Sequence, residues 1–180
     1  MKDALELVVC LKKELKFNKK MLSKTDKRRA TRYPCLLQSK SFTNSRALKF
    51  AFKKRSKFCI SHKDGCVAVL FGKGRFGIDV EELKDRNFDH ISEFCFTEFE
   101  QQEWNKSLKS KEKFYQIYTT KEALIKAHNL SFSELKLVDA ISSGEYFKKS
   151  FIVNDLFIVS VVFKGKKDII IKFYKDESFV

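Results

Sequence analysis

The apolar run Cys66–Phe71 and the alternating stretch Phe76–Val80 read together as a β-hairpin. Alternation sets Ile78 and Val80 on one face of the second arm and Asp79 and Glu81 on the other. The two carboxylates then stand about 6–7 Å apart along the strand. Two acids aimed the same way repel unless a cation or a basic group lies between them. The plain alternative is an edge strand with a solvated acidic face.

The rest of the pattern gives a mixed succession of elements. Ala4–Leu11 reads as a strand, followed by a basic connector. Thr25–Tyr33 reads as a helix with Thr25 or Asp26 as N-cap, and Arg29 and Arg32, three apart, share a face. A second helix over about Asn44–Lys54 turns Leu48 and Phe52 inward and carries Arg46 near its start. These basic runs are either solvated faces or an anion site, since guanidinium binds phosphate in a bidentate fork. Phe58-Cys59-Ile60 is a short strand running into Ser61-His62, where a hydroxyl, an imidazole and Lys63 are suited to an anion. After a polar connector, Thr97 with Glu100 three residues on fits a capping box.

The helix expected over Lys111–His128 is the most informative one. Setting Tyr118 at 0° and stepping 100° per residue gathers Phe114, Ile117, Leu124 and Ile125 into one apolar arc. Lys121 falls inside that arc, a costly place for an ammonium unless it meets an anion. Glu122 and Lys126 lie on the border of the arc, where an ordinary i,i+4 pair would also explain them. Asn129 is suited to a left-handed cap. Beyond it, Glu134–Ile141, Glu145–Val153, Leu156–Phe163 and Asp168–Tyr174 read as strands of an antiparallel meander, acting as scaffold.

Composition narrows the function classes. The 180 residues suffice for one domain, and 43% hydrophobic residues with 19 Phe supply an aromatic core. A formal charge of +14 recruits polyanions, whether nucleic acid, an anionic membrane, a phosphorylated small molecule or an acidic protein. Five cysteines without C-x-x-C and three scattered histidines exclude a zinc spacing and argue against a disulfide framework. With no signal peptide and no long apolar run, the expected location is the cytoplasm, and no membrane partner is expected.

Taken in order, S-H, G-I-D-V-E, F-T-x-x-E and K-E-x-x-x-K form a specific series. The series resembles the 4′-phosphopantetheinyl transferases, particularly the type that activates surfactin synthetase and other carrier-protein systems. The likeness runs from about Phe58 to Phe132. It departs from the family at Cys59 (usually Asn), Lys63 (Ser or Thr), Cys95 (Phe), Tyr118 (Trp) and Asn129 (Gly).

The resemblance implies transfer of phosphopantetheine from coenzyme A to a serine of an acidic acyl or peptidyl carrier protein, releasing 3′,5′-ADP. It implies that Asp79, Glu81 and Glu100 hold Mg²⁺. Glu122 would serve as general base on the carrier serine, or help orient a metal-bound water that does so. Lys121 and Lys126 would neutralise the diphosphate and leaving group, Ser61 and His62 would contact coenzyme A phosphate, and Arg29, Arg32 and Arg46 would line its 3′-phosphate end. The implied fold is α+β, with antiparallel strands, packed helices and an active site between two similar αβ halves related by a pseudo-twofold axis. These halves would be about 1–84 and 85–180, joined near Glu82–Asn87 in one monomeric unit. The rival readings are a Mg²⁺-dependent nuclease, using Asp79 with Glu82-Leu83-Lys84, and a basic nucleic-acid-binding module. The Phe residues fall at core periodicity, which disfavours the second. The Lys- and Phe-rich, Pro-poor composition suits an AT-rich bacterial genome.

Overall fold

The computed structural model describes residues 4–11, 14–52, 57–142 and 144–174. In chain order the strands and helices are β1 (Ala4–Cys10), α1 (Lys24–Arg32), α2 (Lys40–Ala51), β2 (Lys57–Lys63), β3 (Cys66–Gly72) and β4 (Phe76–Glu82). They continue with α3 (Phe88–Cys95), α4 (Glu98–Lys106), α5 (Lys111–His128), β5 (Tyr146–Val153), β6 (Phe157–Lys164) and β7 (Asp168–Phe173). Short 3₁₀ turns occupy Lys19–Met21, Pro34–Leu37 and Phe132–Leu137. The architecture is mixed α+β.

The strands form two sheets, ordered β2-β3-β1-β7 and β4-β6-β5. Strand alternation stacks them into four layers. Leu5, Leu7 and Val9 of β1 with Ala68 and Leu70 of β3 face Ile78, Val80, Val159 and Val161 of the second sheet, forming a dry core between the sheets. On its outer face the first sheet packs Val8, Val67, Val69 and Phe71 against Ala47 and Leu48 of α2. The second sheet turns Tyr146, Ile158 and Val162 toward α5, where Phe96, Trp104 and Phe114 extend an aromatic core. Burying these large rings supplies much of the driving force for the helical side.

Several expectations change. β3 and β4 follow one another but do not pair. Both edges of β3 are taken, by β2 and by β1, so β4 crosses to the second sheet and pairs with β6. The C-terminal strands are not a simple meander: β5 and β6 form a hairpin, whereas β7 returns to the first sheet and runs parallel to β1. Glu134–Ile141 is not a strand. Ser131 and Glu134 close a capping box there and start a 3₁₀ turn. The polar connector contains α3, capped by the Asn87 side chain, which accepts from the His90 backbone N–H. Ser23, rather than Thr25 or Asp26, caps α1. The second helix starts earlier, at Lys40 under a Ser39 cap, so Arg46 lies mid-helix, and the expected end at Lys54 falls outside the described residues.

Candidate active site

β4 is an edge strand of its sheet, and β2, an edge strand of the other, runs beside it. The join is made by side chains. Ser61 Oγ accepts from the Val80 backbone N–H at 3.2 Å and donates to Asp79 Oδ1 at 2.7 Å. Alternation then lines up Cys59, Ser61 and Lys63 of β2 with Gly77, Asp79 and Glu81 of β4.

α5 crosses the other side of β4 unusually closely. A Cβ at Gly77 would lie 1.9 Å from the Ala123 carbonyl oxygen and 2.9 Å from the Ala127 nitrogen, so only glycine admits this approach. The approach brings Glu122 and Lys126, one turn apart, over the acidic pair. One carboxylate oxygen each from Asp79, Glu81 and Glu122 lie within 4.8 Å of one another. Lys126 Nζ donates to Asp79 Oδ1 at 2.7 Å, to the Ile78 carbonyl at 3.1 Å and to Ser61 Oγ at 3.2 Å. Lys63 and Arg86 close on Glu81 at 2.7 and 3.0 Å.

The electrostatics follow from crowding. Burial, with the Asp79 charge next to it, pushes the Glu122 carboxyl up to about 7, against the weaker opposing pull of the Tyr118 hydroxyl and Lys126. Burial alone would lower Lys126, but the Asp79 carboxylate and its hydrogen bond outweigh it and hold the ammonium above its ordinary value. Asp79 Oδ2 is buried and has no hydrogen-bond partner. A buried carboxylate with one orphaned oxygen, grouped with two further carboxylates, is a donor set for a hard divalent ion, which takes oxygen ligands. The residues therefore fit Mg²⁺.

Two of the expected site residues pair with each other instead of reaching this cluster. Glu100 and Lys121 are fully buried and satisfy one another, with Lys121 Nζ 2.5 Å from Glu100 Oε2 and 2.5 Å from the Val138 carbonyl. Glu100 also accepts the Thr97 and Ala140 backbone N–H groups at 2.8 and 2.6 Å. The anion required by a buried Lys121 is thus internal, and Glu122 takes the third place beside Asp79 and Glu81.

Ser61 reaches the cluster. His62, the next residue on β2, turns to the opposite face and is exposed. Lost hydration, reinforced by Arg46 and Lys126, holds its imidazole below the ordinary value. Arg46 is buried in a brace between α1 and α2. Its Nε donates to Asp26 Oδ1 at 3.0 Å, its Nη1 donates to Ser45 Oγ at 2.8 Å, and its head lies 4.2 Å over the Phe42 ring. Burial would raise the Asp26 carboxyl, but Ser23, Arg46 and Lys49 outweigh it and bring it to about 2. Arg29 and Arg32 stand exposed on α1, with no ion pair among the described residues. The D…E-x-K pattern does not assemble either, because Lys84 closes on Glu82 at 2.7 Å on the surface.

Sequence reasoning missed two contributors, Arg86, which holds Glu81, and Tyr118, which hydrogen-bonds Glu122; it marked Lys63 for an anion without showing that the anion is Glu81. Alternation along β2 was the available signal for Lys63, since it shares a face with Ser61. Tyr118 and Glu122 are four apart on one helix, which was the signal for that pair.

A sheet edge, a closely packed helix and a lysine-backed carboxylate cluster define the class: an α+β protein with a site suited to a divalent cation. A family model, ACPS, the 4′-phosphopantetheinyl transferase superfamily, matches residues 75–174, more than half of the chain. The chain belongs to that superfamily, and membership supports phosphopantetheine transfer in general. The matched segment holds Asp79, Glu81, Glu122 and Lys126, while Ser61, His62 and Arg46 precede it. No curated protein matches the chain. Among the described residues no helix is long and apolar enough to cross a membrane.

Proposed function

We propose that the chain transfers 4′-phosphopantetheine from coenzyme A to a serine of an acyl or peptidyl carrier protein, with Mg²⁺, releasing 3′,5′-ADP. The observation that carries the reading is the Asp79–Glu81–Glu122 cluster with its orphaned Asp79 oxygen, set against Lys126. Asp79, Glu81 and Glu122 would hold the ion, which supplies charge neutralisation for the diphosphate. The serine oxygen forms a bond to the phosphorus carrying pantetheine, and the bridging P–O bond breaks toward the adenosine side. Glu122 is suited to take the serine proton, or to orient a water that does so, because burial beside Asp79 raises its carboxyl to about 7. Lys126 keeps a positive charge beside the developing negative charge and fixes Asp79. Lys121 serves the fold in this reading, and Ser61 orients Asp79.

The +14 charge favours an acidic carrier, and its long-range field steers association. The reading extends to the surfactin-activating type, with two pseudo-twofold halves in a cytoplasmic monomer. The test is direct. The protein is incubated with coenzyme A, Mg²⁺ and apo-carrier proteins of the fatty-acid, polyketide and peptide classes, and each carrier is weighed by mass spectrometry. A gain of about 340 Da, one phosphopantetheine, is expected on at least one of them. No gain on any, with salt-sensitive nucleic-acid binding instead, would overturn the proposal.

A further inference from the structure

The acidic cluster carries its own counter-cations, unevenly shared. Lys63 Nζ lies 3.0 Å from Glu81 Oε1 and 2.7 Å from Oε2, and Arg86 Nη2 lies 3.0 Å from Oε2. Both oxygens of Glu81 are therefore engaged from within the chain. Lys126 engages Asp79 Oδ1 and leaves Oδ2 bare. Glu122 receives the Tyr118 hydroxyl. Three cationic heads stand against three carboxylates, so the cluster is close to neutral on its own.

A divalent ion that takes Asp79, Glu81 and Glu122 must share Glu81 with Lys63 and Arg86 or displace them. Either way the site passes from balance to an excess of positive charge, in surroundings where water screens poorly. A diphosphate removes that excess. The Lys63 and Arg86 side chains are about one-third exposed, at 30% and 29%, and their long stems let them swing from Glu81 to a phosphate oxygen. We propose that Lys63 and Arg86 act as an internal cation lock on Glu81, so that metal alone binds weakly and metal with diphosphate binds cooperatively. The lock rests on the reading of Asp79, Glu81 and Glu122 as the metal site. By linkage the coupling is reciprocal, and the metal tightens the diphosphate by the same factor.

The test uses Mn²⁺ as probe metal and inorganic pyrophosphate as probe diphosphate. Binding is followed by electron paramagnetic resonance and calorimetry at matched free Mn²⁺. The proteins are the parent, Lys63→Ser, Arg86→Gln and Asp79→Asn, each checked for fold by circular dichroism. In the parent, pyrophosphate tightens Mn²⁺ by roughly tenfold or more. Lys63→Ser tightens Mn²⁺ alone by roughly tenfold, the effect of removing one close charge contact, and shrinks the pyrophosphate enhancement to match. Arg86→Gln moves in the same direction and serves if Lys63→Ser misfolds. Mn²⁺ affinity in folded Lys63→Ser equal to or weaker than the parent's overturns the lock. If instead Mn²⁺ binds the parent no better than Asp79→Asn, with or without pyrophosphate, the metal-site reading fails and the lock goes with it. Asp79→Asn therefore tells the two failures apart.

Discussion

Lys121 offers the sharpest test of the site's construction, because its sequence context and its surroundings assign it opposite roles. As a coenzyme A ligand it would be dispensable for folding and essential for transfer. In the structure it is fully buried, and among the described residues its ammonium meets only the Glu100 carboxylate and the Val138 carbonyl. Lys121→Met keeps the apolar stem and removes the charge. Glu100 then remains buried as an anion with two backbone N–H donors, from Thr97 and Ala140. Breaking one partner of such a pair costs about 3–5 kcal/mol, because the other charge is left uncompensated. That is a large share of the roughly 5–15 kcal/mol available to a typical domain. Glu100→Gln alone leaves the ammonium buried without its anion and falls in the same range. In Glu100→Gln/Lys121→Met neither charge is left buried without its partner, and the glutamine oxygen still accepts from Ala140, while the Thr97 N–H loses its acceptor. The double variant is therefore expected to recover about 2–3 kcal/mol relative to the sum of the singles. Urea unfolding of the four proteins gives the cycle, and carrier modification by mass spectrometry gives activity. Transfer should return with stability in the double variant. A Lys121→Met protein as stable as the parent but inert, and still inert with Glu100→Gln, would refute the internal pairing and put Lys121 on the substrate.

Three further outcomes are expected. Asp79→Ala and Glu122→Gln each abolish transfer while circular dichroism stays unchanged, and full activity in Asp79→Ala would remove the metal assignment. Without metal, the Glu122 carboxyl sits at about 7 when folded against an ordinary 4.5, so the folded chain holds the extra proton between those values. Stability from this group then falls as pH rises through that window, by up to about 3 kcal/mol. His62, held below its ordinary value, pulls the other way in the upper part of the window, so the readout is the difference between the parent and Glu122→Gln in urea with chelator. Equal pH slopes in the two proteins would count against the burial of Glu122 beside Asp79. Gly77→Ala forces its methyl into the α5 backbone and should cost at least about 3 kcal/mol, seen as a lowered unfolding midpoint; a neutral result would mean α5 does not approach β4 this closely.

The local features of the site were legible from the chain. The limits of α5 were readable from its apolar period and from Asn129, which takes the left-handed conformation at φ 60°. The capping box at Thr97 and the opposed faces of Ile78/Val80 and Asp79/Glu81 were readable for the same reason, since caps and alternation are set by neighbours in sequence. What failed was pairing at long range. Nothing within Cys66–Val80 reveals that β1 takes the second edge of β3, which is what sends β4 to the other sheet. The helical projection showed that Lys121 points inward and needs an anion. It could not show that Glu100, arriving from α4, would be that anion.

Lys121 and Glu122 are adjacent on α5 and so point about 100° apart. The first is locked into the helical core by Glu100, and the second is turned toward β4. Rotating α5 enough to bring Lys121 to the acidic pair would carry Glu122 away from it and expose Glu100. Sliding α5 off β4 would separate both, and the glycine at position 77 is what removes the steric reason to slide. The aim of Glu122 and Lys126 at Asp79 is therefore fixed by two contacts that touch no substrate: a buried ion pair on one side of the helix and a missing side chain on the other. On this argument substitutions at Glu100 or Gly77 should damage transfer as severely as substitutions at the carboxylates, but through the relative placement of groups that remain chemically intact.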